Sequence, residues 1–177
     1  QDSTAWFHVG GRETVSSYFR AFPEEAEGAL EWMVEQDVEW MRQLPSHIVL
    51  DRWRLVHAGY NPRQDPDHQI EQDLLWIRKP FHSTNSPIDP HRSVVFGHTP
   101  TMNLYPRSEE RWGEIWYSDV ELNDGRSAAI GLDTCVFHKQ GRPAVLTAFD
   151  LQTSEVRSLN RREAWKEDDW IRARFIP

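Results

Sequence analysis

A mixed α/β fold is predicted by two features of the sequence. Short apolar runs that read as strands alternate with stretches that read as helices. Two of those runs also end in a histidine, with small residues and a proline close behind. Trp53-Arg54-Leu55-Val56 leads into His57-Ala58-Gly59 and then Tyr60-Asn61-Pro62, and Ser93-Val94-Val95-Phe96 leads into Gly97-His98-Thr99-Pro100. β-Branched and aromatic residues favour the strand in both runs. The 41 residues that separate the two histidines leave room for a crossover between neighbouring parallel strands.

From the N-terminus, residues 14–20 read as a short helix. Pro23 opens a longer one, because proline suits a first helical turn, and Glu24 and Glu25 meet the positive end of its dipole. Ala26, Leu30, Val34, Val38 and Met41 recur at intervals of three and four as its apolar stripe, and Leu44-Pro45 ends it. Trp32 and Trp40 are expected to pack, since no basic residues interleave with them as in a base-stacking platform. Strands follow at 47–50 and 53–56, with a tight turn at Asp51-Arg52. Ile70, Leu74, Leu75 and Ile77 suit a short helix with one buried face, ending at Arg78. Residues 79–92 are rich in turn formers and read as loop, with His82 and His91 solvated. Strands at 115–117, 128–132, 144–149 and 155–159 suggest hairpins, with Asn123-Asp124-Gly125 as the turn between the first two. Residues 161–177 set Trp165, Trp170, Ile171 and Phe175 among charges. They are expected to pack back on the domain, a docking tail for a partner being the other reading.

Composition bounds the function. The 177 residues suffice for one core. With 28 acidic against 20 basic residues, the formal charge is −8 and the mean hydropathy −0.70. Such a surface argues against nonspecific binding to nucleic acid or an anionic membrane. It leaves a phosphate substrate open, because cations act locally. Cys135 is the single cysteine, which excludes an internal disulfide, suits a reducing, cytoplasmic setting, and reads as a small core residue.

The candidate chemistry lies at the two strand ends. Gly97 is expected to supply the backbone freedom that lets the strand offer His98, and Pro100 to stiffen the exit. Neutral imidazoles are the commonest metal ligands, so His57 and His98 on one shared metal is the joint hypothesis. The second tetrad read alone is equally a turn with an ordinary histidine. Arg78 can grip phosphate oxygens in pairs, or can be a surface arginine at a helix C-terminus. Two ligands fall short of a hydrolytic metal centre, which uses three or more.

Three ordered runs resemble one family: Val56 through Pro62, Leu74-Leu75-Trp76-Ile77-Arg78, and Val95 through Thr101. They are similar to the phosphoprotein phosphatases, closest to the bacterial and phage-type Ser/Thr phosphatases of the calcineurin-like metallophosphoesterase superfamily. Ile130 through Thr134, Leu146 through Leu151 and Gly10 through Tyr18 extend the resemblance over roughly residues 6 to 154. It implies a metallophosphoesterase-type sandwich of two mixed sheets flanked by helices. It implies two divalent metal ions, manganese first and iron or zinc next, with His57 and His98 on one of them and Arg78 on the phosphate. The implied reaction is hydrolysis of phosphomonoesters by metal-activated water, with phosphoserine or phosphothreonine in proteins as substrate or else a small phosphate. A dinucleoside polyphosphate hydrolase shares the same core motifs, and a noncatalytic degenerate interaction domain is the alternative from another class. The family's Asp-x-His, Gly-Asp-x-x-Asp-Arg-Gly and Gly-Asn-His motifs are not found in these residues and are expected upstream. On this reading residues 1–160 are the C-terminal part of one domain, residues 161–177 an extension, and the segment alone is inactive. Cys135 stands where the family usually has glycine, and residues 137–143 depart from its short Gly-rich turn.

Overall fold

The structure, a computed structural model, describes residues 6–23, 27–105, 111–136 and 142–160. The chain divides into two compact units, Gln1–Pro45 and Ser46–Pro177. The expectations for residues 24–26, 137–141 and 161–177 lie outside the described residues.

In the first unit, a wide helical turn at Phe7–Gly11 leads into α1 (Arg12–Ala21), and α2 spans Glu27–Arg42. Leu30 is buried, and the Tyr18 hydroxyl donates to the Asp37 carboxylate between the two helices. Trp32 and Trp40 correct the expectation that they pack: they are 59% and 61% exposed. The Leu30–Val34–Val38 stripe takes one face, and residues two positions off that stripe project to another.

In the second unit the order is β1 (His47–Val49), β2 (Trp53–Val56), α3 (Glu71–Trp76), α4 (Lys79–His82), β3 (Ser93–Phe96), β4 (Trp116–Tyr117), β5 (Ala129–Gly131), β6 (Val145–Phe149) and β7 (Val156–Asn160). The first five strands form one mixed sheet in the order β1-β2-β3-β5-β4, and β6 and β7 form a separate hairpin. β2, β3 and β5 are mutually parallel, whereas β1 and β4 are antiparallel edges. The predicted crossover between the two histidine strands is therefore present, as is the mixed α/β class. The Asn123-Asp124-Gly125 turn joins β4 to β5, with Gly125 at φ +81°.

Both faces of β3 are covered, so all four of its residues are buried. Alternation sends Val94 and Phe96 to one face and Val95 to the other. The first face meets α3 and α4 through Leu74, Ile77 and Phe81, together with Ala58, Tyr60 and Ala129. On the second, Trp53, Val95 and Ile130 pack against Phe149 and Leu151 at the end of β6. Each fully buried Val or Phe here contributes about 1.5–3 kcal/mol.

Residues 79–92 were expected to be loop throughout, yet 79–82 are helical. Pro80 sits in the first turn of α4, where its missing N–H costs nothing. The Arg78 carbonyl accepts from the amides of Phe81 and His82, so Arg78 starts this helix. Among the described residues no helix is long and apolar enough to cross a membrane.

Candidate functional site

Three adjacent parallel strands end together. Val56, Phe96 and Gly131 are register partners on β2, β3 and β5, so His57, His98 and Asp133 follow at the carboxyl ends of the three interior strands. Loops at the carboxyl ends of parallel strands are where open α/β sheets gather ligand-binding groups. The Gly97 amide donates to the His57 carbonyl at 2.9 Å and continues the ladder one step past the strands.

The turn that carries His98 differs from the expectation. The positive φ belongs to His98 itself, at +62°, and not to Gly97. The Thr99 amide donates to the Gly97 carbonyl at 2.6 Å, closing a three-residue turn around the histidine. A non-glycine residue in this region stores about 1–3 kcal/mol of strain, held by its surroundings. Gly59 is the glycine that geometry requires. It lies at φ +155°, and a Cβ there would run into the Phe81 ring.

The two imidazoles face each other. His57 Nε2 and His98 Nδ1 are 3.0 Å apart, and the ring centroids are 4.8 Å apart. Between neutral rings this is one hydrogen bond, its direction set by the tautomers. The same pair also suits a cation. Two neutral imidazole nitrogens 3.0 Å apart are the donor type a divalent ion takes. The two residues thus fit as neighbouring ligands of one ion. Among the described residues no group of three or more His, Cys, Asp or Glu side chains is arranged to hold a metal, so they are a pair and not a full shell.

Burial lowers the His98 pKa, helped by the positive charge of Arg78 and by His57, while Asp133 acts the other way. The neutral form, which ligates metals, is thereby favoured. His98 Nε2 is buried without a hydrogen-bond partner. The Trp76 ring meets the His98 ring edge-on at 5.7 Å.

Arg78 follows the end of α3 and starts α4, and its guanidinium turns to the His98 turn. Nη1 donates to Thr99 Oγ1 at 3.0 Å and lies 3.4 Å from the His98 carbonyl. The structure thus brings together all three residues singled out from the sequence. It also adds residues that the reading missed. Thr99 is the partner of Arg78, and Asp133 lines an apolar groove with His98, Leu55, Leu132 and Phe149. His82 departs from the expectation that it is solvated. It is instead half-buried against Phe81 and Phe96, and burial, then Arg78 and His98, lower its pKa to about 4. The signal for His82 was its place one helical turn after Arg78, visible only if 79–82 is read as helix. Cys135 is fully buried and burial raises its thiol pKa, so it offers no nucleophile. No family model, curated protein or solved structure matches this chain.

Proposed function

We propose that this chain carries one part of a divalent-metal phosphoesterase centre that hydrolyses phosphomonoesters, phosphoserine and phosphothreonine in proteins being the first substrate class. The observation that carries this reading is the 3.0 Å approach of His57 Nε2 to His98 Nδ1 at the ends of two parallel strands, with Arg78 tied to the same turn. The resemblance of the three motifs supports it, and with it a metallophosphoesterase-type sandwich, while the polar composition and single cysteine support a cytoplasmic setting. His57 and His98 hold the metal, manganese first by that resemblance and for its liking of nitrogen and oxygen ligands. A bound divalent ion supplies water of lowered pKa and neutralises phosphoryl charge. The chain's own residues do the rest. Burial favours the neutral form of His98, whose Nδ1, 3.0 Å from His57 Nε2, would turn its lone pair from that contact to the metal. Arg78 receives phosphoryl oxygens and steadies their charge as it grows.

Zinc titration of the full chain, followed by the histidine ring protons in NMR, tests the shared site. His57 and His98 should shift together at one stoichiometric point, and His57→Ala should weaken binding at least about tenfold. Inorganic phosphate added to the zinc-loaded chain should bind about tenfold more weakly to Arg78→Ala, by loss of a charge-assisted pair. Histidines that respond separately, or phosphate affinity indifferent to Arg78, would refute the reading.

A further inference from the structure

An exposed arginine has about 2 kcal/mol of rotamer entropy to lose when it grips a ligand. Arg78 has surrendered part of that freedom already, because Nη1 is held by Thr99 Oγ1 at 3.0 Å. Thr99 is itself buried and bonded. It is 6% exposed, its β-branched side chain is stiff at χ1, and its amide is bonded to the Gly97 carbonyl. The hydroxyl therefore belongs to the turn that carries His98, and through it one guanidinium nitrogen is fixed relative to the histidine pair.

We propose that Thr99 is the positioning residue for Arg78, ordering the guanidinium beside His98 before any phosphate arrives. This rests on the reading of Arg78 as the phosphate arginine. Nη1 is committed to Thr99 and the His98 carbonyl, which leaves the N–H groups of Nε and Nη2 for two oxygens of a phosphate. Ordering the side chain in advance removes part of the entropy cost of binding.

Thr99→Val and Thr99→Ser in the full chain test the proposal, with Thr99→Ala in place of valine should that variant fail to fold. Two quantities are read: the order of the Arg78 Nε–H by ¹⁵N relaxation, and the dissociation constant of inorganic phosphate with zinc present. Valine should loosen Arg78 and weaken phosphate about fivefold to tenfold, the scale of one lost hydrogen bond. Serine should restore both to within about threefold, since it keeps the hydroxyl. Unchanged Arg78 order in the valine variant overturns the positioning role, as does equal loosening in valine and serine, which would mean that packing alone matters. The outcome that separates the two readings is loosened Arg78 in valine, restored in serine, with phosphate affinity indifferent to Arg78→Ala. The clasp then stands and the phosphate reading falls.

Discussion

His82 is where a single residue makes stability depend on pH. Its ring stacks on Phe96 and its Nε2 is buried without a partner, so a proton there would be poorly solvated. The folded chain resists protonation until about pH 4, whereas the unfolded chain takes the proton near the ordinary histidine value of 6.5. Between those values the unfolded state binds more protons, so stability is present above pH 6.5 and is lost as pH falls toward 4. Full desolvation would make such a shift worth about 3 kcal/mol. The ring is only partly buried, and screening brings the expected loss to about 1–2 kcal/mol. Urea titrations of wild type and His82→Leu at several pH values check this. The leucine variant should lose most of the slope, keeping the part due to His98, whose pKa is also lowered by burial. An unchanged slope would assign the acid sensitivity elsewhere. The one mark of His82 in the sequence is its place four residues after Arg78, and Lys79-Pro80 opens a stretch of turn formers that conceals the turn of helix.

Strand β2 and the loops beside it show which elements a sequence discloses. Trp53-Arg54-Leu55-Val56 reads as an apolar strand, and it is one, but its arginine is 2% exposed. Arg54 Nε bonds Asp89 at 2.8 Å, Nη2 bonds Asp67 at 2.7 Å and Nη1 lies 3.3 Å from the Pro66 carbonyl. Asp89, 4% exposed, also accepts from the amides of His91 and Arg92 and from Arg92 Nη1 at 3.2 Å. The strand is thus fastened to both loops of the crossover. Removing Asp89 leaves the buried guanidinium with the exposed Asp67 as its remaining described carboxylate and orphans two loop amides, so Asp89→Ala should cost about 2–4 kcal/mol in urea denaturation. A cost below about 1 kcal/mol would mean that water replaces the carboxylate easily. The strand ends that deliver His57 and His98, and the Asn123-Asp124-Gly125 turn, were legible because each is encoded by neighbouring residues. The Arg54 network and the Thr99–Arg78 clasp were not. The bonds of Arg54 and Arg78 in them join residues 12 to 35 positions apart, and no local pattern fixes such pairs.

On the scale of the whole molecule, the site as described is built within the second unit. Every hydrogen bond described for His57, Arg78 and His98 is made by residues of the second unit, Ser46–Pro177. The apolar face beneath them, with Phe96, Phe81, Leu74 and Ile77, also lies within it. Helices α1 and α2 belong to the other unit and have their own buried Leu30 and their own Tyr18–Asp37 bond. Contacts that close within a unit should survive separation of the units. A chain beginning at Ser46 should therefore keep the joint zinc response of His57 and His98, with an affinity within about twofold of the full chain, because additive, uncoupled sites differ by only about 0.3–0.5 kcal/mol. The histidine ring protons followed through the same zinc titration give the comparison directly. Loss of the joint response in a shortened chain that still melts cooperatively would mean that residues 1–45 contribute to the site, and would move the search for further ligands into that first unit.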